Sequence, residues 1–161
     1  RAYRKRGLIM KKVYVGCDNA AVRLKEIAKG IFAEYGFEVV DLGVETADDP
    51  TAYPEVAKRV CEAIIADGYT SEGALFCGTG IGMCITANKF PGIYAGVAHD
   101  NYACERLRLS NNANVICMGE RVIGPELAKK ILREWCTTSF KGGPSAEKVS
   151  LIKKYEKELY K

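Results

Sequence analysis

Between Lys12 and Thr137 the chain repeats one pattern five times: a short apolar run, a polar turn, then a stretch whose apolar residues recur every three or four positions. The short runs, Lys12–Cys17, Phe37–Leu42, Gly73–Cys77, Tyr94–Ala98 and Val115–Met118, are predicted strands, and their scarcity of polar residues suits a sheet covered on both faces. Predicted helices follow over Val22–Tyr35, Pro54–Asp67, Ile81–Asn88, Tyr102–Leu109 and Pro125–Thr137, with a last one from about Ser145 to Tyr160. In the first helix Val22, Leu24, Ile27, Ala28, Ile31 and Phe32 form an apolar stripe, and Arg23, Lys25, Glu26, Lys29 and Glu34 are expected on the opposite side. Strands that alternate with helices pair in parallel through right-handed crossovers, which lay helices on both faces. The predicted fold is therefore α/β, a Rossmann-like three-layer αβα sandwich with a five-stranded parallel sheet.

A chain of 161 residues is sized for one such domain. No repeat, linker or low-complexity stretch divides it, so residues 10–161 are assigned to a single domain. Met10, followed by two lysines and a strand, has the form of a natural start, and residues 1–9 are set aside as an N-terminal extension or added remnant. That segment carries Arg1, Arg4, Lys5 and Arg6, which account for the whole formal charge of +4. The domain itself is neutral, which argues against nucleic acid as a partner. No stretch has the length and apolarity of a spanning helix or a signal peptide, so no membrane partner is expected and a cytoplasmic location is.

Seven cysteines, an odd number at irregular spacing and mostly in apolar runs, read as reduced thiols. They lack the paired spacing of a zinc site, and His99 is the sole histidine. No metal is expected, and no mechanism that needs two histidines from one chain.

In open parallel sheets ligands bind beyond the carboxyl ends of the strands. The predicted strands deliver there Cys17-Asp18-Asn19, Asp41 with the loop to Tyr53, Cys77-Gly78-Thr79-Gly80-Ile81-Gly82, His99-Asp100-Asn101 and Gly119-Glu120-Arg121. The glycine-rich segment is the strongest local signal, because glycines at alternate positions let backbone amides approach an anion at a helix start. Cys77 just ahead of those N–H dipoles is placed to act as a base or nucleophile. Each feature also has a plain reading, a packed strand-end thiol and a tight turn. A dinucleotide fingerprint fits poorly: the third glycine comes one residue early and the loop follows the third strand, not the first. A P-loop is excluded, since no Gly-x4-Gly-Lys-Ser/Thr run exists.

Together, Gly16-Cys-Asp18, Asp41-Leu-Gly43, Tyr53-Pro54, Cys77-Gly-Thr-Gly-Ile-Gly82, Ala87-Asn-Lys89, Pro91-Gly-Ile93, Asn111-Asn-Ala-Asn-Val115, Gly119-Glu-Arg-Val-Ile-Gly124, Glu126-Leu-Ala128 and Gly142-Gly143 resemble the ribose-5-phosphate isomerase B family and its galactose-6-phosphate isomerase relatives, over about Met10 to Tyr155. The resemblance implies aldose–ketose isomerisation of a phosphorylated sugar through a cis-enediolate, without metal or organic cofactor, in a homodimer or homotetramer whose site lies between subunits. By the same resemblance Cys77 is the base, and Thr79 with the amides of Gly78, Gly80, Ile81 and Gly82 holds the enediolate oxygens. Asp18 and Tyr53 match sugar-hydroxyl contacts, Asn111 a contact near the anomeric end, and Arg121 an anion contact. Arg108 matches a frequent family arginine and is a phosphate candidate.

Two single positions and one segment depart from the family pattern. Asn19 and Ser110 stand where many members carry histidine, the second of these being the ring-opening residue. The phosphate-binding Gly-Gly-Arg-His-x-x-Arg segment is here Gly142-Gly-Pro144-Ser-Ala-Glu-Lys148, so Lys148 is left to meet a phosphate without the guanidinium fork. His99 is a weaker candidate for the missing acid, its alternative role being a local hydrogen bond near the helix start. The expected activity is interconversion of ribose 5-phosphate and ribulose 5-phosphate. The alternatives are isomerisation of another tetrose or hexose phosphate, a linear tetrulose phosphate being suited to the loss of both histidines, and a non-catalytic sugar-phosphate-binding subunit.

Overall fold

The computed structural model describes residues 10–160, so the reading of residues 1–9 lies outside the described part of the chain. Five strands, β1 (Lys12–Cys17), β2 (Glu38–Asp41), β3 (Glu72–Cys77), β4 (Ala95–Val97) and β5 (Val115–Gly119), form one sheet in the order β2-β1-β3-β5-β4, every pairing parallel. Six helices accompany them: α1 (Val22–Glu34), α2 (Tyr53–Ala66), α3 (Ile81–Ala87), α4 (Asn101–Leu109), α5 (Pro125–Thr137) and α6 (Ser145–Leu159). The α/β class, the five parallel strands and the layering match the expectation from the sequence, with boundaries shifted by one or two residues. None of the described helices is long and apolar enough to cross a membrane.

β3 and β5 are buried along their whole length, as their uninterrupted apolar runs require. On one side α1 and α4 both pack against α5; on the other α2 packs against α3 and β1. Phe32, Leu132 and Trp135 fill the first layer, and Val56, Val60 and Ile64 the second. Helix ends follow local chemistry. Pro54 and Pro125 open α2 and α5, where a missing N–H costs nothing, and the Asp100 side chain accepts the Ala103 N–H at 2.7 Å to cap α4. Gly36 and Gly68, at φ 81° and 73°, end α1 and α2 in the left-handed conformation.

Lys25 overturns its expected place on the solvent side of α1. It is fully buried, because its Nζ reaches the Val44 carbonyl at 2.6 Å and Asp41 Oδ2 at 2.9 Å and so pins the loop after β2. Burial alone would raise the Asp41 pKa, but the Lys25 and Lys29 ammonium groups override it and hold the carboxylate below its ordinary value.

The sheet reverses its winding between β1 and β3, where one crossover leaves toward β2 and the next returns past β1. Ligands of doubly wound sheets bind at the carboxyl ends of strands at such a point.

Candidate active site

β3 delivers Cys77 to that crevice. The thiol is 4% exposed, and its Sγ accepts the Gly80 N–H at 3.1 Å. For the chain to turn back onto its own sulfur within three residues, Gly80 adopts φ 77° and lies against β5, where a Cβ would sit 2.8 Å from the Met118 carbonyl carbon. Gly119 of β5 backs the same loop, since a Cβ there would lie 2.4 Å from Thr79 Cα. Thr79 is thereby held at the mouth of the crevice with its Oγ1 3.3 Å from the Ile81 N–H.

This geometry corrects one expectation. The N–H of Gly80 is committed to the Cys77 sulfur and that of Ile81 to the Thr79 hydroxyl, so neither faces a substrate oxygen, and Gly80 does not line the cleft. The N–H groups of Gly78 and Thr79, both cleft residues, have no acceptor among the described residues and are left to bind an oxyanion.

The cleft has a volume of about 560 Å³. Cys77, Gly78, Thr79, Ile81 and Gly82 form its floor, with Asp18, Asn19 and Ala20 on one wall, Tyr53 and Ile85 on another and Arg121 across from them. Asp18 Oδ1 accepts the Ala20 N–H at 3.0 Å, which fixes the turn and orients the carboxylate. Tyr53 is the first residue of α2, and its ring lies over Gly82, where a Cβ would come within 2.6 Å of it. The Arg121 guanidinium lies over Gly78, 3.2 Å from where a Cβ would stand, and no carboxylate pairs with it among the described residues. Ala20 and Ile85 were not singled out from the sequence. The signal for Ile85 was its place one helical turn after Ile81, which leaves both 54–59% exposed on one face of α3.

Other predicted site residues do not join this cleft in the same chain. Ser110 and Asn111 close α4, whose next residues bond to the starts of strands: Gly73 N–H donates to the Asn114 carbonyl at 2.8 Å. They lie at the amino end of the sheet, roughly 17 Å away along the six residues of β3. Lys148 is exposed on α6, ten residues after Thr138, whose carbonyl is held beside Ala113 at the same end.

Arg108 is no cleft residue. It is 7% exposed, forms an ion pair with buried Glu72, donates to the Thr138 and Ala113 carbonyls at 2.8 and 3.0 Å, and stacks on Trp135 at 4.0 Å. With three of its five N–H donors engaged and the side chain buried beside Glu72, this guanidinium is built into the core and not into the cleft. His99 takes the local role: its Nε2 accepts the Gly119 N–H at 2.9 Å, which fixes the ring and supports the end of β5. Burial lowers its pKa, with Asp100 partly opposing the shift.

Among the other thiols, burial pushes Cys17 up to about 11 and Cys61 and Cys104 to about 12. Cys84 is drawn down to about 7 by its bond with Cys117, yet its Sγ is turned to the Ala95 carbonyl at 3.4 Å and away from the cleft. Of the described cysteines, only Cys77 lines the cleft.

A strand-end thiol beside a glycine-rich turn and the polar side chains of Asp18, Asn19, Tyr53 and Arg121 on a Rossmann-like sheet fit the class of sugar-phosphate isomerases, and comparison with known proteins places the chain in that class. A family model described as Ribose/Galactose Isomerase matches residues 13–152. The D-erythrulose-4-phosphate isomerase of Pectobacterium atrosepticum is 46% identical over 91% of this chain and 96% of that protein. Ribose-5-phosphate isomerase B of Escherichia coli is 40% identical over 89% and 95%. The solved structure of Clostridium thermocellum ribose-5-phosphate isomerase B superposes with a TM-score of 0.86 at 35% identity, covering 92% of this chain and 99% of that one. The chain belongs to the ribose/galactose isomerase family.

Proposed function

We propose that this protein interconverts an open-chain tetrose phosphate aldose and ketose, with Cys77 as the base. One observation carries the choice of substrate. His99, the sole histidine, is bonded through Nε2 to Gly119 outside the cleft, and Ser110 holds the position of the ring-opening histidine. No imidazole is available to open a sugar ring. A tetrose phosphorylated at O4 has no free hydroxyl placed to close a five-membered ring and needs none. The name of the 46% identical relative, an erythrulose-4-phosphate isomerase, agrees with this reading.

In the proposed reaction Cys77 Sγ takes the proton from C2 of the aldose, the electron pair of the C–H bond becomes the C1–C2 double bond, and the carbonyl π pair moves onto the aldehyde oxygen to give a cis-enediolate. Negative charge on its oxygens meets the N–H groups of Gly78 and Thr79. The Thr79 hydroxyl passes a proton between the two oxygens, and Cys77 returns its proton to C1 to give the ketose. Asp18, Asn19 and Tyr53 hold the hydroxyl groups, and Arg121 draws the phosphate.

The site is completed by a second copy of the chain. Ser110 and Asn111 lie at the other end of the sheet, and neither they nor the exposed Lys148 line the cleft of their own chain. Ile81 and Ile85 of the cleft are more than half exposed, as is Val122 next to Arg121, and α6 buries Val149 while leaving Leu151, Ile152 and Tyr155 outside. In a two-fold dimer each copy would lend Asn111 and Lys148 to the other's Cys77.

The test is turnover of D-erythrulose 4-phosphate beside D-ribose 5-phosphate, with Cys77→Ala as control. Preference for the tetrulose phosphate, lost in the variant, is expected; equal or better use of ribose 5-phosphate sinks the substrate assignment. Co-expressing Cys77→Ala with Asn111→Ala is expected to restore roughly one quarter of wild-type activity, since random pairing leaves one intact site in each mixed dimer. No restoration would place Asn111 outside the partner's site.

A further inference from the structure

We propose that Glu120 is a positioning residue that sets the width of the cleft by tying three of its walls together. Glu120 follows β5, and its own N–H donates to the Cys77 carbonyl at 3.0 Å while the next N–H, of Arg121, donates to the Gly78 carbonyl at 3.1 Å. Its side chain leaves in the other direction. Oε1 accepts the N–H of Leu24 at 2.7 Å, a bond between residues 96 positions apart.

Leu24 lies in the first turn of α1, and that helix has no other means of satisfying the donor. Its N-cap is Ala21, no side chain caps it locally, and its first turn holds no acid. The carboxylate of Glu120 does both jobs, as acceptor and as negative charge at the positive end of the helix. Of the four residues that lead into α1, Asp18, Asn19 and Ala20 line the cleft that Arg121 also lines, and Ala21 is buried. One half-buried side chain therefore links the loop of the thiol, the guanidinium and the sugar-hydroxyl wall.

Cutting this link has an uneven effect. Cys77 and Thr79 are held by β3, by the bond to Gly80 and by Gly119 under His99, none of which involves the Glu120 side chain. Asp18, Asn19 and Arg121 lose their fixed separation. Substrate binding is thus expected to suffer more than the proton transfer. The inference rests on the cleft being the substrate site and not on which sugar phosphate fills it.

Two measurements test it. The first is kcat and KM with D-erythrulose 4-phosphate and with D-ribose 5-phosphate for wild type, Glu120→Ala, Glu120→Asp and Glu120→Gln. Glu120→Ala is expected to raise KM roughly tenfold with kcat changed less than about threefold, and Glu120→Asp, shorter by one methylene and milder for folding, to follow the same pattern. Glu120→Gln keeps an oxygen for Leu24 and is expected to recover most of the KM. The second is amide hydrogen exchange, which needs no turnover. Loss of the tether is expected to speed exchange in 18–24 and in 119–122, whereas loss of a helix cap alone would confine the change to the first turn of α1. An unaltered KM, a glutamine variant as impaired as alanine, or exchange altered only in 22–26 overturns the proposal. Wild type inactive on both sugars would refute the reading of the chemistry, and the exchange result would still decide the role of Glu120.

Discussion

Replacing Arg108 with methionine separates the two roles a motif match and a folded structure give this residue. Methionine retains most of the apolar stem and removes the guanidinium together with its stacking on Trp135. Glu72, 3% exposed, is left with the Trp135 Nε1–H at 3.1 Å and with Lys11, whose side chain is 48% exposed and well solvated. Removing one partner of a buried ion pair costs about 3–5 kcal/mol, because the other charge stays buried. Lys11 pulls the figure toward the lower end, and the Thr138 and Ala113 carbonyls, each losing a charged donor, push it back. For a domain of this length about 3–5 kcal/mol corresponds to a fall in Tm of roughly 6–20 °C. Thermal and urea denaturation at fixed protein concentration measure it, since an oligomer's stability depends on concentration. The double variant Glu72→Gln/Arg108→Met removes both charges and keeps an acceptor for Trp135, so it is expected to regain at least half of the loss. A Tm within about 3 °C of wild type together with a KM raised tenfold, the profile of a lost phosphate ligand, would refute the buried-pair reasoning.

Gly119→Ala places a Cβ 2.4 Å from Thr79 Cα, backbone against backbone, so Thr79 must move; a kcat reduced roughly a hundredfold is expected, and wild-type kcat would show that the position of Thr79 does not matter. Gly82→Ala meets the Tyr53 ring instead, at the end of a side chain 39% exposed and free to swing, so KM is expected to rise a few-fold with kcat nearly intact, the opposite profile. His99 has a folded pKa below its ordinary 6.5, because burial disfavours the imidazolium. Above that value both folded and unfolded forms are neutral and it contributes no slope; below it the unfolded chain takes up the proton first, so stability falls until pH passes the folded value. His99→Gln, which keeps an acceptor for Gly119, is expected to flatten the decline in unfolding free energy between pH 7 and 5, and an unchanged slope would assign it to other groups.

The elements were legible because strand and helix impose different periods on the same apolar residues, and the cleft's floor because glycine at Gly80 and Gly119 answers to backbone geometry that sequence spacing already marks. Side-chain direction was less legible, for a physical reason. Lys25 sits among polar residues on a helix diagram, but the layer facing it is the loop after β2, whose Asp41 and Val44 carbonyl lie 16 and 19 positions away and turn a surface lysine into a buried one. Arg108 is decided in the same way by Glu72, 36 positions distant. A charge's place depends on its partner, and periodicity carries no information about partners that distant in sequence.

The division of the predicted site into two groups was, by contrast, implicit in the alternation itself. In a βαβ unit the helix runs antiparallel to the strands, so residues that open a helix share an end of the sheet with the preceding strand's carboxyl terminus, and residues that close it lie at the other end. Asp18, Tyr53 and the Cys77 loop precede helices and converge; Ser110 and Asn111 end α4 and separate from them. A motif set that spans both ends of one parallel sheet cannot meet within a single copy of this fold. The family resemblance implies a site between subunits, and the order of elements in the chain supplies a physical reason for the proposal that a second copy brings Asn111 to Cys77.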